Sequence, residues 1–411
     1  MEMRVAEILA EQEYHGWAFD ERAAQELEQT LRQELQGVQQ RITARHPYVS
    51  HGSFTPKVNN KTRGYVKGAP STRVVETNVT SRDHITWILT NFYGWKPKKM
   101  TDKGKPVLDE VVLKELGTDF GNDVARCLEL SKSLGMLSEG QNAWLKLVRN
   151  GRIHHNCCVS TNTHRCAHRN PNLAQVPSDE RFRRLFTASS GFTAVGADLA
   201  GIELRMLAHY LARYDDGRYA DVLLNGDIHQ VNADKIGISR KLVKTVTYAF
   251  LYGAGDEKIG HSYDPQLPTA KAKKKGAEIR QAYMDAIDGL EKLVTGVKQV
   301  VETRGSIKII DGRNIKVESS HKGLNYLLQA GAGVVAKQWM INTHDRIKQH
   351  GIESHQLAFI HDELQYECYP TYVNDLKFQL LHSAELAGNQ LGMRIPIAAE
   401  AKHGATWADC H

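Results

Sequence analysis

Two aspartates carry the strongest chemical signal in this 411-residue sequence. Asp198 closes the apolar run GFTAVGADL and Asp362 sits within QLAFIHDELQYECY, each where a strand-like stretch meets polar residues. Each has a glutamate nearby, Glu203 and Glu363. A single carboxylate at a strand end is as readily a turn former or a helix cap. A pair brought together on one sheet could instead hold two Mg²⁺ ions through hard oxygen ligands, and paired metals ~3.5–4 Å apart activate an attacking oxygen while stabilising a leaving one. That is hardware for phosphoryl transfer. Arg240, Lys244, Tyr248 and Tyr252 recur at four-residue steps, which on an α-helix places them along one slowly drifting stripe. Such a stripe is by itself an ordinary helix face, yet two cations one turn apart followed by aromatic rings also suit a triphosphate and then a flat heterocycle. Gly253 and Gly255 just beyond would let another chain approach the backbone closely.

The elements that must position these groups can be read from periodicity. Leu27, Leu31, Leu35, Val38 and Ile42 recur every three or four residues and predict a long amphipathic helix from Glu21 to Ile42. Leu128, Leu134, Leu137 and Leu145 suggest a second helical stretch to pack on it. Between them, residues 41–75 carry Arg41, Arg45, Lys57, Lys61, Arg63, Lys67 and Arg73 with no Asp or Glu, and read as a basic, irregular loop. That loop is either a solvated connection or a surface that tracks phosphates or docks an accessory protein. The strand ending at Asp198 runs straight into the helical periodicity of IELRMLAHYLARY, and helical pattern returns from Asp227 to about Val301. SIKIIDGRNIKV reads as a hairpin with Asp311-Gly312 in a type I′ turn, and a second hairpin holds His361, Asp362 and Glu363 at its turn.

Composition narrows the class. With 41% hydrophobic and 24% charged residues, and 11 Pro against 33 Gly, the chain is neither disordered nor fibrous, and its length suits two or three packed subdomains. Apolar runs fall short of the ~18–20 residues a membrane span needs, and the charged start MEMRVAEILAEQE is unlike a signal sequence. Six Cys, two of them adjacent at Cys157 and Cys158, form no staple framework and point to a reducing, cytoplasmic setting. Lys and Arg total 53 against 47 Asp and Glu, a net charge of +6 compatible with a polyanionic partner. His154, His155, Cys157, Cys158, His164, Cys166 and His168 are dense enough to consider Zn²⁺, though no CxxC pair is present.

The motifs themselves are familiar. DLAGIELRMLAH from Asp198, RKLVKTVTYAFLYGAGDEKIG from Arg240 and IHDELQ from Ile360 resemble motifs A, B and C of the family A (Pol I-like) DNA polymerases, most of all the replicative polymerases of short-tailed, T-seven-like phages. NPNLAQVP from Asn170, LNGDIH ending at His229, LNYLLQAGAG from Leu324 and GATWADCH at the C-terminus extend the likeness over nearly the whole chain. The resemblance implies an α+β right-hand fold with an antiparallel palm sheet, helical fingers and a helical thumb. Residues 1–150 would form the thumb, with a shortened basic loop at 45–75. Residues 151–226 and 302–411 would form the palm, and 227–301 the fingers. It implies a DNA-directed DNA polymerase working by two-metal-ion nucleotidyl transfer in phage DNA replication, with Mn²⁺ able to replace Mg²⁺.

Residue by residue, the resemblance makes Asp198, Asp362 and the Leu199 carbonyl metal ligands with Glu363 in support. Arg240, Lys244 and His229 would hold the triphosphate, and Lys244 would protonate departing pyrophosphate. Tyr248 would stand against the incoming sugar and base, and a Tyr there implies tolerance of dideoxynucleotides. Glu203 would crowd a ribose 2′-hydroxyl. Arg165, Asn325, Gln329, His361, Tyr252 and Gly253 would touch primer and template. Lys57, Lys61, Arg63 and Lys67 occupy the place where phage relatives insert a thioredoxin-binding segment. Direct DNA contact is expected of them, with no thioredoxin-type processivity factor. The expected partners are primer-template DNA and dNTPs, with no membrane, for a monomer in the host-cell cytoplasm. A catalytically idle primer-template-binding subunit, or synthesis on RNA templates, are the competing readings. Three departures stand out. His164 replaces a glycine in the turn before Arg165, Ala200 replaces a motif-A serine, and no residues correspond to an upstream exonuclease, so no proofreading is expected.

Overall fold

The computed structural model describes all residues except 98, 99, 102, 160, 266 and 411. The chain divides into two units, Arg22–Lys146 and the combination of Met1–Glu21 with Leu147–His411.

In the first of these, the predicted amphipathic helix runs Glu21–Arg45 and buries Ala24, Leu31, Val38 and Ile42 along one stripe. The second helical stretch is Asp119–Leu134, started by Thr118, whose hydroxyl accepts from the amide of Gly121. Arg126 clasps Glu34 with two hydrogen bonds, at 2.7 and 2.9 Å, and Arg41 pairs with Asp123 at 2.8 Å, tying the two helices together. The basic segment departs from expectation in part. Its flanks pair as an antiparallel hairpin of Tyr48–Phe54 with Ser71–Glu76, while the stretch between them, with Lys57, Lys61, Arg63 and Lys67, is irregular apart from an isolated bridge between Asn60 and Tyr65. The second of these strands buries no residue and in the first Val49 is buried, so neither strand shows the period-two hydrophobic signal that marks a half-buried strand.

The larger unit is built on a four-stranded antiparallel sheet in the order Ser354–Ile360, Glu363–Cys368, Thr193–Leu199, Ala399–Gly404. Its strands come from three distant stretches of chain. The Glu2–His15 helix packs on Ser354–Ile360 and sends Val5, Ile8 and Leu9 into the main core, so the first residues belong with this unit and not with Arg22–Lys146. Helix Gly323–Gln349 is buried nearly all round, and Trp339 Nε1 donates to Leu380 O of helix Val373–Gln390 at 2.8 Å. Five helices between Ile228 and Arg304 form the block predicted for that region. Two of them, Asp256–Tyr263 and Thr269–Ala286, touch backbone to backbone. A Cβ on Gly276 would lie 1.8 Å from Asp256 O, and one on Gly260 1.9 Å from Ala272 O.

Ser306–Lys308 and Asn314–Lys316 pair as the expected hairpin, but its turn is not type I′. Gly312 N donates to Ile309 O at 2.9 Å and Gly312 alone takes a positive φ, 88°, whereas a type I′ turn would need one at Asp311 too. The longer loop is closed by Ile309 N to Arg313 O at 2.9 Å. Among the described residues no helix is long and apolar enough to cross a membrane.

Candidate active site

Asp198 is the penultimate residue of Thr193–Leu199, and its register partner on the next strand is Glu363. The Leu199 amide donates to the Asp362 carbonyl at 3.0 Å, so the two aspartates are diagonal neighbours across one ladder. They lie at one end of the sheet's two inner strands, where Gly201, in the left-handed region at φ 55°, turns the chain from the strand into helix Ile202–Leu211 one step beyond. Burial pushes the Asp362 carboxyl up to about 7, helped by repulsion from Glu203 and Asp198 and opposed by Arg165. Carboxylate oxygens of this kind are the hard donors that divalent cations take.

Glu203 lies one helical turn on, where Oε1 accepts from Arg165 Nη2 at 2.9 Å and from the Tyr252 hydroxyl at 2.8 Å. That Tyr252 hydroxyl is pushed up to about 12 by burial and by Glu203. Glu363 is buried and engaged elsewhere, accepting from Trp407 Nε1 at 2.5 Å and Gln365 Nε2 at 2.7 Å.

The stripe Arg240, Lys244, Tyr248 lies on helix Arg240–Leu251, capped by the Ser239 hydroxyl. Lys244 is exposed and Tyr248 half-buried. Arg240 is gripped at 2.7 Å by Asp227, which also caps the His229 helix through the amides of His229 and Gln230. His229 is buried and pushed below its ordinary value by burial, against the upward pull of Asp227 and with Arg240 and Lys244 adding to the lowering, so it stays neutral; its ring stands 6.2 Å from that of Tyr248. Tyr248 in turn is raised by burial and by the charges of Glu203 and Asp362, which joins the stripe electrostatically to the aspartates. At the helix end, Asn325 donates to Leu251 O at 2.8 Å, and Gly253, φ 70°, lies with its Cβ position 3.7 Å from Asn325 Cβ. Gln329 follows one turn later, half-buried. A cavity of ≈ 370 Å³ opens here, lined by Phe250, Gly253, Asp256, Arg280, Lys298 and Asn325. His361 occupies the hairpin turn at φ 60° with Nδ1 buried and unpaired, edge-on to His168 at 5.8 Å.

The sequence matches DNA polymerase family A over residues 54–409. The chain belongs to that family. Two phage proteins described as DNA-directed DNA polymerase, from Enterobacteria phage T3 and Escherichia phage T7, are each 33% identical to it, with all of this chain and 70% of theirs aligned. DNA polymerase I of Bacillus caldotenax is 24% identical, with all of this chain and 46% of its own length covered. In fold, this family A chain matches the POL domain of Pol1 from M. smegmatis, solved with DNA primer-template and dNTP, with a TM-score of 0.79 at 20% identity, over all of this chain and 70% of the other. The expected α+β class, mixing helices with an antiparallel sheet, is what the polymerase adopts.

The structure gathers Asp198, Leu199, Asp362, Glu203, Arg165, Tyr248 and Tyr252 into one cluster, with Arg240 and Lys244 farther along the Tyr248 helix and His229 on the preceding helix, Ile228–Ile236. Lys57, Lys61, Arg63 and Lys67 belong to the other unit, between the two hairpin strands, and among the described residues none meets a carboxylate. No group of three or more His, Cys, Asp or Glu among the described residues is placed to hold a metal, so the histidine and cysteine run does not form the zinc cluster considered for it. Sequence reasoning missed Asp227 as the anchor of Arg240. The GDIH string signalled a helix cap there, but nothing local indicated the ion pair. It also missed Glu400, which lies opposite Asp198 on the other neighbouring strand, a pairing that only the sheet order brings about.

Proposed function

We propose that this chain is a DNA-directed DNA polymerase that adds dNTPs to a primer 3′-hydroxyl on a DNA template by two-metal nucleotidyl transfer. The observation that carries the proposal is the meeting of Asp198 with Asp362 beside a helix presenting Lys244 and Tyr248. Asp198, Asp362 and the Leu199 carbonyl would hold two Mg²⁺ ions, or Mn²⁺ in their place. Bound there, the ions would supply Lewis-acid activation of the primer oxygen and neutralise charge on the phosphates.

The chain's own residues do the rest. Arg240, fixed by Asp227, and exposed Lys244 grip the β- and γ-phosphates, and Lys244 gives a proton to departing pyrophosphate. Neutral His229 donates a hydrogen bond to the same oxygens. Tyr248 packs against the incoming sugar and base, with weak discrimination against dideoxynucleotides. Glu203, held by Arg165 and Tyr252, crowds a ribose 2′-hydroxyl. Glu363, locked to Trp407 and Gln365, acts by keeping the hairpin turn in place. Arg165, Asn325, Gln329, His361, Tyr252 and Gly253 meet primer and template through minor-groove and backbone atoms, which test pair shape without reading sequence. Lys57, Lys61, Arg63 and Lys67 hold duplex phosphates, and no thioredoxin-type factor is needed. The chain works as a monomer in phage DNA replication in the host cytoplasm.

Primer extension with Mg²⁺ on matched DNA and RNA templates, supplied with dNTPs and ddNTPs, tests this directly. Efficient DNA-templated extension terminated by ddNTPs is expected. Tight primer-template binding without any extension would favour the idle binding subunit instead.

A further inference from the structure

Arg165 reaches Glu203 from a turn with an uncommon backbone. His164, just before it, has φ 58°, the left-handed region that a Cβ disfavours. The turn is closed by His164 N to Thr161 O at 3.1 Å and by Thr161 Oγ1 to Arg165 O at 2.5 Å. It is braced from two sides. The His164 carbonyl lies against Gly333, where a Cβ would come within 3.3 Å of that oxygen. The His164 ring presents Nδ1 to Arg313 Nη1 at 3.5 Å, a long contact in which the guanidinium is the donor.

Arg313 is itself fixed. Nη1 donates to Glu2 Oε1 at 2.6 Å, and Nε pairs with Asp311 at 2.5 Å. The second oxygen of Glu2 takes Lys337 Nζ at 2.7 Å, and Lys337 is completely buried. A file of contacts thus runs from the first turn of the N-terminal helix through Arg313 and His164 to Arg165, and from there to Glu203 and Tyr252.

We propose that His164 and Arg313 are positioning residues: they fix the turn that aims Arg165 at Glu203, and so set how strictly the site refuses a ribose 2′-hydroxyl. This rests on the reading of Glu203 as the wall against that hydroxyl. A non-glycine residue in the left-handed region persists only where its surroundings over-determine it. Without the ring's contact to Arg313 the turn relaxes, and the guanidinium leaves Glu203. A carboxylate oxygen held by two donors is a rigid wall; held by Tyr252 alone, it can swing aside.

The test compares kcat/KM for a dNTP and its matching rNTP in Arg313→Met, His164→Ala and the double variant, with melting temperatures and primer-template Kd alongside. Arg313→Met leaves Glu2 facing Lys337, so the buried lysine keeps its counter-charge, and His164→Ala removes the ring while keeping the Cβ that strains the left-handed backbone. In each single variant the dNTP-over-rNTP preference should fall about tenfold, chiefly through better rNTP use. The double variant should fall no further, because both substitutions break the same file. Arg313→Lys should restore part of the preference. An unchanged preference in the single variants, with or without a lower melting temperature, would overturn the proposal, as would losses that multiply in the double variant. Glu203→Ala serves as the control: if it leaves the preference intact, the reading of Glu203 is what has failed.

Discussion

Glu367 offers a sharp quantitative test of how the sheet is held. It lies on the same strand as Glu363, is wholly buried, and accepts from His15 Nε2 at 2.7 Å, Ser189 N at 2.7 Å, Ser189 Oγ at 2.9 Å and Arg152 Nη2 at 3.2 Å. Burial alone would raise this carboxyl, but the His15, Ser189 and Arg152 partners outweigh it and hold the group down to about 2 against an ordinary 4.5. At ~1.4 kcal/mol per unit, the ionised form is favoured in the folded state by roughly 3 kcal/mol at neutral pH. Because the folded value is depressed, this contribution is fully present above the ordinary carboxyl range and is lost as pH falls from about 5 through about 2. Glu367→Gln keeps the shape and removes the charge. Urea unfolding followed by tryptophan fluorescence should show the variant less stable by roughly 2–3 kcal/mol at pH 7, with the gap narrowing to about 1 kcal/mol near pH 3. Comparing the two proteins at each pH cancels the other carboxylates. A gap that is the same at both values, or absent at pH 7, would refute the assignment of these partners as the source of the stability.

Three further outcomes are expected. Asp198→Asn or Asp362→Asn should leave primer-template affinity within about twofold and lower single-turnover extension by about a thousandfold or more; near-normal incorporation in rapid quench would remove these residues from the chemistry. Lys244→Ala, at an exposed position, should reduce dNTP kcat/KM by about 10–100-fold with an unchanged melting temperature. Gly276→Ala should destabilise the larger unit by roughly 3 kcal/mol or more, since its Cβ would fall 1.8 Å from the Asp256 carbonyl and two helices would have to separate; a neutral effect in a thermal melt would show that the helices yield freely.

Local pattern made the centre of the site legible. The switch from strand to helix periodicity at Asp198 and the alternation around His361, Asp362 and Glu363 are properties of short windows, and both elements form as read. What stayed hidden depends on distant partners. The ion pair of Arg240 with Asp227 joins two helices, and the four ligating contacts of Glu367 come from three separate stretches of chain. The basic hairpin escaped for a different reason: among the described side chains of its strands Val49 alone is buried, which leaves no hydrophobic alternation to find. The Asp311-Gly312 turn misled because two dipeptide conformations share that composition, and closure by Arg313 selects the longer one.

The strand bearing Asp198 is flanked in the sheet by Glu363–Cys368 and Ala399–Gly404, both encoded more than a hundred and sixty residues later. During synthesis at ~5–20 residues per second, that strand therefore waits roughly ten seconds or longer, unpaired along both edges, before either neighbour has been translated. The nascent polypeptide passes through an interval in which a hydrophobic β-segment is exposed and no reaction centre exists. Aggregation of the nascent chain should thus involve this segment, and catalytic competence arrives only once Ala399–Gly404 has been translated.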